Sequence, residues 1–180
     1  MRNFSKIKTL SNWIYWALSI CIVIIPVYYL SFWFLINNTD FPLEAITTGT
    51  TSIAPRSLPT EILAAGYFSS IFPLTVLVCV LLSLRKIFLL YKSGIVFSFE
   101  HVVLFKKTAK LLVFWVLLSV AYESVKSVLF SLENPPGERV LSVEFGSDEL
   151  TVILVAAFVY VIAWVMDEGR VLAEENKMTI

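Results

Sequence analysis

Charged side chains leave three long gaps in this chain, and apolar side chains fill them. Uncharged runs extend from Thr9 to Thr39, from Ile62 to Leu84 and from Leu150 to Met166. A bilayer hydrocarbon core is crossed by about 20 apolar residues of helix, within a range of about 17 to 25. Each gap therefore predicts a membrane-spanning helix. A fourth apolar stretch, Leu111 to Phe130, carries Glu123 and Lys126. Their spacing of three places them on one helix face, where they can pair. Insertion scales put a central charge at about 2.5 to 3.5 kcal/mol, while each Leu, Ile, Phe or Val returns about 0.3 to 0.6. Leu111, Leu112, Val113, Phe114, Val116, Leu117 and the other apolar residues of this stretch offset much of the cost, so it reads as a fourth span.

The punctuation between the gaps organises the rest. The first helix is expected over about 12–36, capped at Ser11 or Asn12, with Trp13 and Trp16 as an interfacial belt and Pro26 as a kink. Pro42, Gly49, Pro55 and Pro59 predict an irregular loop from Asn37 to Glu61. The second helix follows from about Thr60 to Tyr91, its span at 62–84. Ser93-Gly94 is a helix stop and Ser98 a restart. Phe99 to Lys110 is amphipathic and runs without a breaker into Leu111, so the third helix (span 111–130) extends below the membrane and forms a long helical hairpin with the second. After Pro135-Pro136-Gly137, Val140 to Phe145 partly alternates like a short strand, ahead of a span at 150–166. The expected fold is all-α: one membrane domain over 1–180, a four-helix bundle with four transmembrane helices, a long cytoplasmic hairpin and short extracytoplasmic loops.

Composition agrees. With 58% hydrophobic and 16% charged residues, the chain has too little charge to cover a water-facing globule. A formal net charge of zero provides no overall basic field for nucleic acid, so no direct nucleic-acid partner is expected. The distribution of charge is more informative. Arg2, Lys6, Lys8, Arg85, Lys86, Lys92, Lys106, Lys107, Lys110, Arg170 and Lys177 fall on one side, against Arg56, Lys126 and Arg139 on the other. The positive-inside rule places the first group, with both termini, in the cytoplasm of a bacterial-type inner membrane. The first apolar run is far longer than the apolar core of a signal peptide, so that helix is expected to remain. Cys21 and Cys79 both lie inside spans, and His101 is the single histidine. No metal-ligand spacing, phosphate-binding glycine loop or nucleophile elbow occurs, so no metal, cofactor or enzymatic activity is expected.

Two patches near the basic side resemble a known family. Glu168-Gly169-Arg170, Leu172, Glu174-Glu175-Asn176 and Thr179-Ile180 resemble the closing motif of the bacterial domain-of-unknown-function family 2975, the YoaS-like membrane proteins. Gly94 with Phe97-Ser98 resembles that family's cytoplasmic turn. The resemblance implies a small four-helix membrane protein of a family often encoded beside a short helix-turn-helix regulator. It implies no activity.

Ionisable groups inside a membrane are candidate sites by default. Ser119, Glu123, Lys126 and Ser127 form a polar stripe on the third span, and Glu123 is expected to face the bundle interior or an external water cavity. A second candidate is the acidic tail of Asp167, Glu168, Glu174 and Glu175, which shares a membrane face with the basic hairpin. Val171, Leu172, Met178 and Ile180 give this tail apolar residues with which to dock. The leading reading is a non-enzymatic membrane module that binds a cytoplasmic protein, such as a helix-turn-helix regulator, or a second copy of itself. The alternative is a small transporter or channel subunit using Glu123 and Lys126.

Overall fold

The computed structural model describes residues 2–37, 57–95, 98–132 and 134–178. Four helices account for most of them: α1 (Arg2–Leu35), α2 (Thr60–Ser93), α3 (Phe99–Ser131) and α4 (Ser147–Met178). Helices of 32 to 34 residues are about 50 Å long at 1.5 Å per residue, well beyond a hydrocarbon core of about 30 Å. Three helices, α1, α2 and α4, are long and apolar enough to cross a membrane, within Ser5–Leu35, Thr60–Ser93 and Ser147–Leu172. The chain is therefore a membrane protein. Helix α3 carries Glu123 and Lys126 in its C-terminal half, beyond the uncharged stretch Leu111–Tyr122.

Two boundaries differ from expectation. Helix α1 begins at Arg2 rather than at Ser11 or Asn12, because nothing in the preceding residues breaks a helix; Ser11 is a buried mid-helix residue. The segment Val140 to Phe145 has no strand partner among the described residues. It runs extended beside α3, where Ser131 Oγ accepts from Val140 N at 3.0 Å and Ser127 Oγ accepts from Ser142 N at 3.0 Å. Two side-chain hydroxyls thus take the place of a neighbouring strand. Most of the expected loop from Asn37 to Glu61 lies outside the described residues. Its ends meet where Leu58 N donates to Asn37 Oδ1 at 2.9 Å.

Among the described residues, α1 packs on α2, α2 on α3 and α3 on α4, and no other pair of helices approaches closely along its backbone. The expected bundle is thus an open row in chain order. At the end opposite the α2–α3 turn, Trp33 of α1 draws the first three helices together. Its indole is 2% exposed, its Nε1 donates to Tyr122 Oη of α3 at 2.8 Å, and it lies 5.6 Å from the Phe130 ring. On α2 the indole occupies the space above Gly66, where an added Cβ would overlap it. A glycine inside a helix costs about 0.5 to 1 kcal/mol relative to alanine, so this one is explained by the ring it admits.

Gly66→Ala should destabilise the protein by about 1 to 3 kcal/mol through overpacking, in spite of alanine's better helix propensity. Thermal unfolding in detergent measures this. A variant as stable as the parent would mean that Trp33 does not sit on Gly66.

Candidate functional site at the basic end

Beyond the apolar segments, α2, α3 and α4 continue as helices and are tied to one another. Helix α2 closes with Gly94 in the left-handed region (φ 90°), where Gly94 N donates to Tyr91 O at 3.0 Å and Ile95 N to Leu90 O at 3.1 Å. This paired pattern satisfies carbonyls left open at a helix end, and only glycine adopts the conformation without strain. Lys8 of α1 also lies against Gly94, with Cε 2.9 Å from where a Cβ would stand. Ser98 caps α3 and accepts from His101 N. Both punctuation residues thus act as expected, while Phe97 lies outside the described residues.

His101 is completely buried. Its ring stacks 4.5 Å from that of Tyr91 at 31°, and its Nδ1 lies 2.8 Å from Ser98 Oγ. Burial holds its pKa below the ordinary 6.5, opposed by the nearby Glu100 carboxylate. Around this core, Lys86 Nζ meets Glu100 Oε1 at 2.8 Å. Both partners are well exposed, so the pair contributes about 0 to 1 kcal/mol. Arg85 Nη2 donates to Tyr15 Oη at 2.6 Å, and the Arg85 guanidinium and Lys92 ammonium lie 4.7 and 5.1 Å from the Tyr15 ring centre. These contacts join α1 to α2.

The acidic tail joins α3 through its first turn. Lys106 Nζ donates to Asp167 Oδ2 at 3.1 Å, Arg170 Nη2 donates to Asp167 Oδ1 at 3.3 Å, and the Arg170 guanidinium lies 5.5 Å from the Phe99 ring centre. Val171 and Leu172 do not dock; Leu172 is 52% exposed. Glu168, Gly169 and Glu175 also face outward. One helical register cannot turn both Asp167 and Leu172 toward α3, and the ion pair takes the contact. Thr179, Ile180 and the side chains of Glu174 and Asn176 lie outside the described residues.

The residues of the polar stripe on α3 are not gathered into one cluster. Glu123 and Lys126 pair directly, and the Lys126 ammonium lies 5.8 Å from the Tyr122 ring centre. The Glu123 side chain is half-exposed on the flank of α3 rather than turned into the helix row. A partner three residues along the same helix neutralises it without help from another helix. Ser127 is buried and holds the extended segment, and Ser119 Oγ is buried without a partner among the described residues. Sequence reasoning missed the Tyr15–Arg85, Tyr91–His101 and Trp33–Tyr122 contacts, since each joins different helices and leaves no spacing signal.

A family model described as a protein of unknown function (DUF2975) matches residues 45–180. The match covers both patches that carried the resemblance. No curated protein and no solved structure matches the chain.

The unfolded chain takes up a proton at His101 near pH 6.5, whereas the folded chain does so only at lower pH. Stability should therefore fall as pH drops through about 6.5 and level off once folded His101 also protonates. Thermal midpoints in detergent between pH 7.5 and 5.5 should show this decline. His101→Phe, which retains an aromatic ring beside Tyr91, should flatten it.

Proposed function

The chain belongs to the DUF2975 family, and from that premise we propose that it is a four-span inner-membrane module, with both termini cytoplasmic, that binds a protein partner through its basic end. The family description supplies no activity, so the reading rests on this chain's own geometry. In it, α3 is the fourth span: its two internal charges neutralise each other, and its far end shares the Trp33 contact with α1 and α2. The uneven distribution of basic residues supports the orientation. Reporter fusions after Lys8, Lys92 and Ile180 should read cytoplasmic, and fusions near Thr50 and Gly137 external. A cytoplasmic reading at Gly137 would remove α3 as a span.

One observation carries the partner reading. Three helices run on past their apolar segments and are cross-tied by Lys86–Glu100, Tyr91–His101 and Lys106–Asp167. A membrane anchor alone needs no such scaffold in water. The scaffold also presents apolar side chains, among them Ile95, Phe99 and Leu172, and exposed apolar side chains rimmed by charge mark interaction surfaces. The reading is non-enzymatic. Its partner is a soluble protein, such as the helix-turn-helix regulator implied by the family resemblance, or a second copy of the chain.

The transport alternative, through Glu123 and Lys126, is the weaker one. Their charges are closed on each other at the flank of α3, with Glu123 half-exposed, whereas a conducting site is built from groups that converge on a shared path. A photo-crosslinking residue placed at Phe99 or at Leu172 in native membranes should capture a discrete protein, identified by mass spectrometry. The same residue at Leu154, exposed within the α4 apolar segment, should capture none. Equal yields at all three positions would remove the partner-binding reading.

A further inference from the structure

The cations of the α2–α3 hairpin are unevenly committed. Arg85 and Lys92 lie on Tyr15, Lys86 on Glu100 and Lys106 on Asp167. Asp167 also holds Arg170, so one carboxylate stands between two cations. Lys107 and Lys110 are exposed and form no ion pair among the described residues. Both line an open groove of about 550 Å³ along α3, together with Val103, Lys106, Leu111 and Phe114. Positions spaced three or four apart fall on one helix face, so these six residues form a continuous stripe.

The order of chemistry along the stripe is informative. Three ammonium groups come within little more than one turn, and Leu111 and Phe114 follow at the start of the apolar segment, with Phe114 51% exposed. An amphiphile with an anionic head and an apolar chain has the same order when it stands in a leaflet. We propose that this groove binds one anionic phospholipid, its phosphate held by Lys107 and Lys110 with Lys106 at the edge, and its first acyl carbons lying on Leu111 and Phe114. The inference does not rest on the partner-binding reading, because a lipid occupies this stripe whether or not a protein docks on the scaffold.

Lysines beside a membrane attract anionic lipid through charge alone, so a bound lipid must be distinguished from a diffuse field. Native mass spectrometry of the full chain in detergent, titrated with dioleoyl phosphatidylglycerol, should show one retained lipid. Dioleoyl phosphatidylcholine should bind at least about tenfold more weakly, and excess inorganic phosphate should fail to displace the phosphatidylglycerol. Removing two adjacent cations with Lys107→Gln/Lys110→Gln should weaken phosphatidylglycerol by about tenfold or more, while Lys107→Arg/Lys110→Arg should retain it. Lys6→Gln/Lys8→Gln removes the same charge from the same end and should leave binding unchanged. Circular dichroism of each variant should report parental helicity. Equal loss in the Lys6/Lys8 variant would show only a diffuse field and overturn the site. Equal binding of phosphatidylcholine would overturn the role of charge, and displacement by inorganic phosphate would overturn the role of the acyl chain.

Discussion

Helices immersed in hydrocarbon gain little by hiding apolar side chains from one another, since lipid tails are as apolar as leucine. Such helices hold together through close packing and through polar contacts whose alternative is an unsatisfied group in lipid. Trp33 supplies both. Its ring fills the notch left by Gly66, and its indole N–H is satisfied by Tyr122. The three participants come from three helices, so one side chain sets the spacing of α1, α2 and α3 at the far end. The Phe130 ring and Tyr29, 6.0 Å from Tyr122, extend the cluster.

At the basic end the helices leave the apolar environment and a different force takes over. Buried aromatic packing gives way to charged contacts, although the buried His101 ring still stacks on Tyr91. Individually the exposed pairs are weak. Their arrangement still matters, because each joins a different pair of helices: Tyr15–Arg85 ties α1 to α2, Lys86–Glu100 ties α2 to α3, and Lys106–Asp167 ties α3 to α4. The row is stapled at its basic end by contacts whose loss singly would be small.

An open row leaves its two outer helices largely uncovered. Trp13, Val23 and Val27 of α1 and Phe158, Trp164 and Val165 of α4 are each more than half exposed. On a soluble protein so much contiguous apolar surface would be a liability. On a membrane protein it is the face offered to lipid. The polar groups that remain on α3 are handled locally, Glu123 by Lys126 and the hydroxyls of Ser127 and Ser131 by the extended segment that follows.

The sequence by itself determined the helices and most of their ends. Apolar runs of spanning length, the Ser93-Gly94 stop and the Ser98 restart are local signals, and backbone hydrogen bonding within a helix is local too. For the same reason the family-like turn at Gly94 and Ser98 was legible as a cap before its geometry was known. The start of α1 was misplaced because Ser11 is a good cap by composition while no breaker precedes it, so the helix simply continues to Arg2. Only the tertiary structure decided which residues meet across helices. Trp33 with Gly66, Arg85 with Tyr15 and Asp167 with Lys106 lie far apart in sequence, and each pairing depends on helix rotation that no spacing records. The polar stripe shows the limit most plainly: a helical wheel puts Ser119, Glu123, Lys126 and Ser127 near one face, yet packing against the Val140–Ser142 segment turns Ser127 inward and leaves Glu123 at the surface.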